Sequence, residues 1–343
     1  MCTTRELRLC WLLAAIGLHF ALPLGSPGAE EPFKPSTKVK IANNFWELNG
    51  KRTYQGSRAE GLLLNVRMVN ATFEDRNPAT CPKGFDPDKN TESFIASIPD
   101  YVAHGVRAFT LCLQGGSPGY EGALNSAYDP DGSLRPDYLK RVARVIEACD
   151  KAGAVVILGC LSESQDQVLK DGEAVKVAVA NTAMWVRQRG YTNVLLEVAD
   201  EFIHKGFDHP QIKDPTGMRD LVRLAKQTAP ELLVSASGGG GGRLDQRVAV
   251  VADFLLLHFN NVPVSEIHEK VATADKVSKA IVCNADSKTG EEGAQALEKA
   301  VNALCSWGYM NAKQNQQYPF KFQGAADDPV VYAKFKVLTA PES

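Results

Sequence analysis

The sequence predicts an α/β protein, a single (β/α)8 TIM barrel with a short N-terminal hairpin extension. Three observations lead there. Eight strand-like runs alternate with helical runs across Gly61–Met310, the pattern of βα units around a parallel sheet. A chain of 343 residues accommodates one large barrel. The rival, an open doubly wound sheet, lacks its usual mark, because no GxGxxG follows the first strand.

Residues 1–28 read as a secretory signal. Arg5 and Arg8 precede the apolar run Leu9–Leu24, and the small residues Gly25, Ser26, Gly28 and Ala29 follow. An uncleaved anchor is the alternative, but the run is short for a membrane span and His19 and Pro23 interrupt it. Residues 29–58 form the extension. Within it Val39–Tyr54 reads as extended segments around an Asn49-Gly50 turn, a cap on the barrel floor. Residues 59–343 are assigned to the barrel.

The barrel strands are expected at Gly61–Met68, Gly105–Leu113, Ala154–Leu161, Asn193–Phe202, Leu232–Ser237, Asp253–Phe259, Ala280–Asn284 and Ser306–Met310. Helices are expected at Thr91–His104, Tyr138–Ala152, Ala174–Arg189, Gly217–Thr228, Pro263–Ala274 and Gly293–Leu304. The first has Phe94, Ile98, Tyr101 and Val102 on one stripe, and the third has Val175, Ala178, Val179 and Val186. Gly153 stops the second and Pro230 closes the fourth. The tail Asn311–Ser343 is Gln-, Asp- and Pro-rich and is expected to wrap the base.

The fourth strand organises the rest. In NVLLEVADEF, Val194, Leu196 and Val198 share one face, while Leu195, Glu197, Ala199 and Glu201 share the other. The apolar face suits covering helices. Two glutamates on the second face suit a barrel interior opening at its C-terminal mouth.

A net charge of −2 offers no electrostatic footprint for nucleic acid or an anionic membrane. Of eight cysteines, none lies in a CxxC pair. Buried free thiols are expected, with a disulfide as the alternative in an exported chain. His204 and His209 lie near Asp208, but HxH and HExxH spacings are absent, so no metal and no cofactor are expected. The run Gly238–Gly242 lacks the Lys-Ser/Thr of a phosphate loop, and no GxSxG elbow occurs. Asn70-Ala71-Thr72 is a glycosylation sequon.

Strand C-termini converge in a barrel. The expected rim residues are Asn65, Arg67, Gln114, Ser162, Glu163, Asp200, Glu201, Ser235, Ser237, His258, Asn260, Asn284, Asp286, Trp307 and Tyr309. Amides, hydroxyls and aromatic faces with few net charges suit a sugar. Arg67 is expected to pair with Glu197 inside the barrel.

At these positions the chain resembles the retaining (β/α)8 glycoside hydrolases of the cellulase and mannanase group (clan A type). Their fourth strand carries Glu-x-x-Asn-Glu, their seventh ends in the nucleophilic Glu, and a Trp on the eighth forms a sugar platform. Here stand Glu197-Val198-Ala199-Asp200-Glu201, Asn284-Ala285-Asp286 and Trp307. The resemblance implies Glu201 as acid/base and Trp307 as platform, and it departs in two places. Asp200 replaces an Asn that would donate to a sugar hydroxyl. If Ile281, Cys283 and Ala285 face inward, the nucleophile slot holds Ala285 and Asp286 must swing in. A retaining pair needs carboxyls about 5–5.5 Å apart and an inverting pair about 6.5–9.5 Å.

Two functions follow as expectations. The first is a secreted or periplasmic monomeric glycoside hydrolase-like protein acting on a β-linked oligo- or polysaccharide. Glu201 and Asp286 would be catalytic. Asn65, Arg67, Gln114, Asp200, His258, Asn260, Asn284, Trp307 and Tyr309 would bind substrate. The second is a carbohydrate-binding pseudoenzyme without a nucleophile, and a metal-dependent barrel hydrolase stands behind both as a weaker alternative.

Overall fold

The computed structural model describes residues 33–115 and 120–342. The signal reading of residues 1–28 lies outside the described residues. The chain begins with a three-stranded antiparallel meander, β1 (Val39–Ala42), β2 (Phe45–Leu48) and β3 (Lys51–Arg52). Asn49 and Gly50 both have positive φ, and Leu48 pairs with Lys51 across them, as a two-residue hairpin turn requires. Asn43 and Asn44 make the same kind of turn between β1 and β2.

Eight parallel strands follow, namely β4 (Asn65–Arg67), β5 (Ala108–Cys112), β6 (Val155–Leu161), β7 (Val194–Ala199), β8 (Leu233–Ser235), β9 (Leu255–His258), β10 (Ile281–Ala285) and β11 (Gly308–Tyr309). They form two continuous parallel ladders, β11-β4-β5-β6-β7-β8 and β10-β9. Isolated parallel bridges span both seams, Ser237 with Leu256 on one side, and Val282 with Ser306 and Asp286 with Tyr309 on the other. The ring of eight is therefore joined by ladders at six contacts and by isolated bridges at two, one bridge at the first seam and two at the second.

The helices are α1 (Pro87–Ala103), α2 (Pro136–Lys151), α3 (Gly172–Arg189), α4 (Pro210–Lys213), α5 (Pro215–Thr228), α6 (Gln246–Val251), α7 (Ile267–Asp275), α8 (Gly290–Asn302) and α9 (Pro329–Thr339). Aspartates at 86, 171, 214 and 328 accept hydrogen bonds from the first free backbone N–H groups of α1, α3, α5 and α9, which otherwise lack partners. α9 corrects the expectation for the tail. Val331, Tyr332, Phe335 and Leu338 form a buried stripe, and the segment supplies the helix that follows the eighth strand. The residues between β11 and α9 sit at the strands' C-terminal end, where Asn70 after β4 donates to the Gln316 carbonyl at 2.9 Å.

Strand alternation divides the core. Val194, Leu196 and Val198 face the helices with Leu111, Leu158 and Leu257. Leu63, Ala108, Val155, Ile157, Leu195, Phe254, Leu256 and Val282 fill the lower barrel, and Val39 and Trp46 of the meander close it from below. Polar side chains occupy the interior above this plug.

Of the six described cysteines none is paired. Cys81 is exposed and the other five are buried. The Asn70 side chain is fully buried with its amide engaged, so the sequon presents no accessible acceptor. No described helix is long and apolar enough to cross a membrane.

Candidate active site

The site is built where β7 ends. The strand ladder stops at Ala199, and Glu201 takes a left-handed conformation at φ 48°. Such a backbone is rare for a non-glycine residue and costs on the order of 1–3 kcal/mol. It cancels the alternation that would send Asp200 and Glu201 to opposite faces. Both neighbours reach His258, at the end of β9, from two sides. Glu201 Oε1 lies 2.8 Å from His258 Nδ1, and Asp200 Oδ1 lies 3.5 Å from Nε2. Glu197, below them on β7, comes within 3.9 Å of Nε2. The five-glycine loop closes over this group, since a Cβ at Gly240 would stand 3.3 Å from Glu201 Oε1.

Arg67 reaches up from β4 and forms an ion pair with Asp200. The expected partner was Glu197. Glu197 instead accepts from the Asn284 amide at 2.8 Å. The reason is depth, because Arg67 stands at the top of its strand and its long side chain meets the last carboxylate of β7 rather than the one beneath. His258, Glu197 and Asp200 are almost wholly closed to solvent, whereas the Glu201 side chain is 22% exposed.

The electrostatics follow from this packing. Burial alone would lower the His258 imidazole, but the Glu201 hydrogen bond and the Asp200 charge outweigh it and hold the ring above its usual range. Burial raises Glu201, and the His258 hydrogen bond overcomes it to leave the carboxyl below normal. Glu197 is raised by burial and then by Asp200. Glu163, just past β6, is pushed up to about 7 by burial and then by Asp200. Glu163 belongs to the same neighbourhood and was visible in the sequence only as one of many rim positions.

The Glu163 shift has a consequence for stability. A carboxyl raised from 4.5 to about 7 on folding binds its proton more tightly in the native state. Stability is therefore highest below the unfolded value and falls as pH rises through the folded one. At about 1.4 kcal/mol per unit the penalty at pH 8 is roughly 3–4 kcal/mol. Glu163→Gln is expected to be more stable than wild type at pH 8 and no more stable at pH 4. Urea midpoints across pH measure this, and parallel curves for the two proteins would contradict it.

Of the other expected site residues, Asn284 and Asn260 stay beside this group and the rest lie elsewhere. On β10, Val282 packs in the lower barrel and Asn284 reaches Glu197, while Cys283 packs among the helices. The inward set is thus Val282 and Asn284, not Ile281, Cys283 and Ala285, and Asn284 occupies the inward slot. A register shift between Cys283 and Ala285 turns the strand end. Asp286 is fully buried with both oxygens engaged, Oδ1 by Lys288 Nζ at 2.8 Å and Oδ2 by Trp307 Nε1 at 2.9 Å. Trp307 stacks on Tyr309 and packs against Phe335 of α9. Tyr309 donates to Asp328 at 2.7 Å. These three sit together in the layer between strands and helices, away from the His258 group. Asn65 braces the β4–β10–β11 seam through the carbonyls of Cys283 and Trp307. Gln114 ties the ends of β5 and β6 to Ser126 and Ser162. Asn260 is half-buried beside Gly240.

No protein-family model and no curated protein sequence matches the chain. Solved structures do match in fold. One is a provisionally assigned glycoside hydrolase from Bacteroides vulgatus ATCC 8482, with a TM-score of 0.64 and 11% identity, covering 88% of this chain and 60% of that one. The present chain thus spans about three-fifths of that protein's length. Another is the endo-1,4-beta-mannanase from Rhizomucor miehei, with a TM-score of 0.58 and 10% identity over 88% of this chain and 98% of that one. A third is a broad-specificity endoglucanase from Clostridium longisporum, with a TM-score of 0.58 and 9% identity over 84% of this chain and 98% of that one. At such identities the likeness establishes the fold alone, a (β/α)8 barrel.

Proposed function

We propose that the barrel mouth takes a β-linked oligo- or polysaccharide and hydrolyses it, with Glu201 as the carboxyl that transfers the proton. The observation that carries this reading is the Glu201–His258 contact of 2.8 Å at a partly open strand end. A proton-transfer group needs both a fixed orientation and access to substrate. Glu163, at the end of the neighbouring strand, takes the role of second carboxyl. Asp286 is not given that role, because both its oxygens already hold partners. The substrate class draws support from fold neighbours named as a mannanase and an endoglucanase. Work outside the cytoplasm rests on the N-terminal signal reading.

One observation favours a second reading, glycan binding without turnover. The inward slot of β10 carries Asn284, whose amide is committed to Glu197. An amide there cannot attack an anomeric carbon, and a hydrolase then depends wholly on Glu163. The two readings separate in one experiment on the purified chain. Aryl glycosides and glucan and mannan panels are assayed for hydrolysis, and the corresponding oligosaccharides are titrated calorimetrically. Turnover supports the first reading, saturable heat without turnover the second, and neither signal removes both.

A further inference from the structure

Three side chains at the floor of the mouth each keep one polar atom back. Glu197 accepts from Asn284 through Oε2, and its Oε1 has no protein hydrogen-bond partner among the described residues. Asp200 meets Arg67 through Oδ2, and its Oδ1 has none. His258 meets Glu201 through Nδ1, and its Nε2 has none. All three side chains are more than nine-tenths buried, at 0%, 7% and 1% exposure. Their free atoms face one another. Nε2 lies 3.5 Å from Asp200 Oδ1 and 3.9 Å from Glu197 Oε1, and one donor atom from each of the three residues falls within 4.8 Å of the other two.

A buried polar atom without a partner costs about 1–3 kcal/mol, and more when charged. Three that converge call for one shared partner. We propose that Glu197 Oε1, Asp200 Oδ1 and His258 Nε2 bind a divalent cation of the zinc class. Ligand atoms about 2.0–2.2 Å from such an ion stand roughly 3.3–3.6 Å apart in a tetrahedron. The observed 3.5 and 3.9 Å from Nε2 lie at or within tenths of an ångström of that range, and the two carboxylates close onto the ion from within 4.8 Å of each other.

The outer contacts are those a metal ligand set requires. A carboxylate on the far nitrogen of a histidine fixes the tautomer and turns the other nitrogen's lone pair toward the ion. Glu201 does this for His258. Arg67 and Asn284 hold the second oxygens of Asp200 and Glu197 and leave the first free. The mixed nitrogen and oxygen set favours zinc-class ions over calcium or magnesium, which prefer oxygen alone. Charge agrees. Glu197, Asp200 and Glu201 surround one arginine in a buried floor, and a divalent ion offsets the surplus. A proton is the rival occupant. It would send Nε2–H toward Asp200 Oδ1, but 3.5 Å is long for that bond.

The site does not depend on the mouth taking a glycan. The test uses the full chain, stripped with chelator, dialysed, and titrated with Zn²⁺ and then with Co²⁺ as a coloured probe. One Zn²⁺ per chain is expected, with a Co²⁺ visible spectrum that Zn²⁺ displaces. Glu197→Gln and His258→Gln should each weaken Zn²⁺ binding at least tenfold, while His204→Asn leaves it within twofold. If the two variants fail to fold, the wild-type Co²⁺ spectrum still decides, because imidazole and carboxylate ligation in a low-symmetry site absorbs strongly and a hexaaqua-like ion does not. Absence of stoichiometric binding overturns the proposal. So does binding that survives both Glu197→Gln and His258→Gln, or that His204→Asn abolishes.

Discussion

Glu201→Gln is expected to lower turnover of a responsive glycoside by about 10²–10⁴, the usual worth of a positioned proton donor or acceptor. Glutamine keeps the side chain's shape and can still contact His258 Nδ1 through its amide oxygen. It cannot give or take the proton. The loss should therefore fall on kcat, with KM nearly unchanged, because the missing interaction exists only in the transition state. Calorimetric affinity for an oligosaccharide should likewise be preserved. Glu201 is the carboxylate to test first, because Glu197 and Asp200 are closed to solvent and committed to Asn284 and Arg67. A variant as fast as wild type would remove Glu201 from the chemistry and leave the barrel mouth as a binding surface.

The sequence disclosed the convergence and not the phase. Arg67, Asp200, Glu201 and His258 could be placed on one rim because any closed parallel barrel delivers its strand ends together. Where a strand is short or irregular, the face of each side chain is set by its neighbours. β11 is two residues long, so nothing within it distinguishes an inward from an outward Trp307. Packing against Phe335 settles it outward. On β10 the alternation is regular as far as Cys283, and Val282, paired beside the inward Leu256, takes the interior and leaves Cys283 to the helices, the reverse of the expected phase. The left-handed Glu201 is a break of alternation with no local sequence sign, since glutamate has no preference for that conformation. The stripe Val331, Tyr332, Phe335 and Leu338 was present in the tail at helical spacing, but the Gln-, Asp- and Pro-rich residues before it lowered the apparent order of the whole segment. The cation-ligand set escaped motif reading for a different reason, since its members come from two strands and no local spacing joins them.

Arg67→Met is expected to destabilise the fold by about 3–5 kcal/mol, the range for leaving a buried charge without its partner. The side chain is 2% exposed and forms an ion pair with Asp200, whose side chain is 7% exposed. Methionine fills much of the same volume, so cavity formation is a small part of the loss. What remains is a floor holding Glu197, Asp200 and Glu201 with only His258 to oppose them. The effect should appear as a lower urea midpoint with an unchanged slope, since the unfolded chain exposes the same surface. The measurement belongs in chelator, where no added cation can substitute for the guanidinium. A second change separates charge from packing. Arg67→Met combined with Asp200→Leu removes both members of the pair, and apolar replacements of buried pairs are often near neutral. The double variant should therefore recover a large share of the stability lost by Arg67→Met alone, a coupling that a cycle of the four proteins reads directly. If the double variant is as unstable as the sum of its parts, Arg67 acts through its packing in the upper barrel, and the charge balance at the mouth has to be carried by the histidine alone.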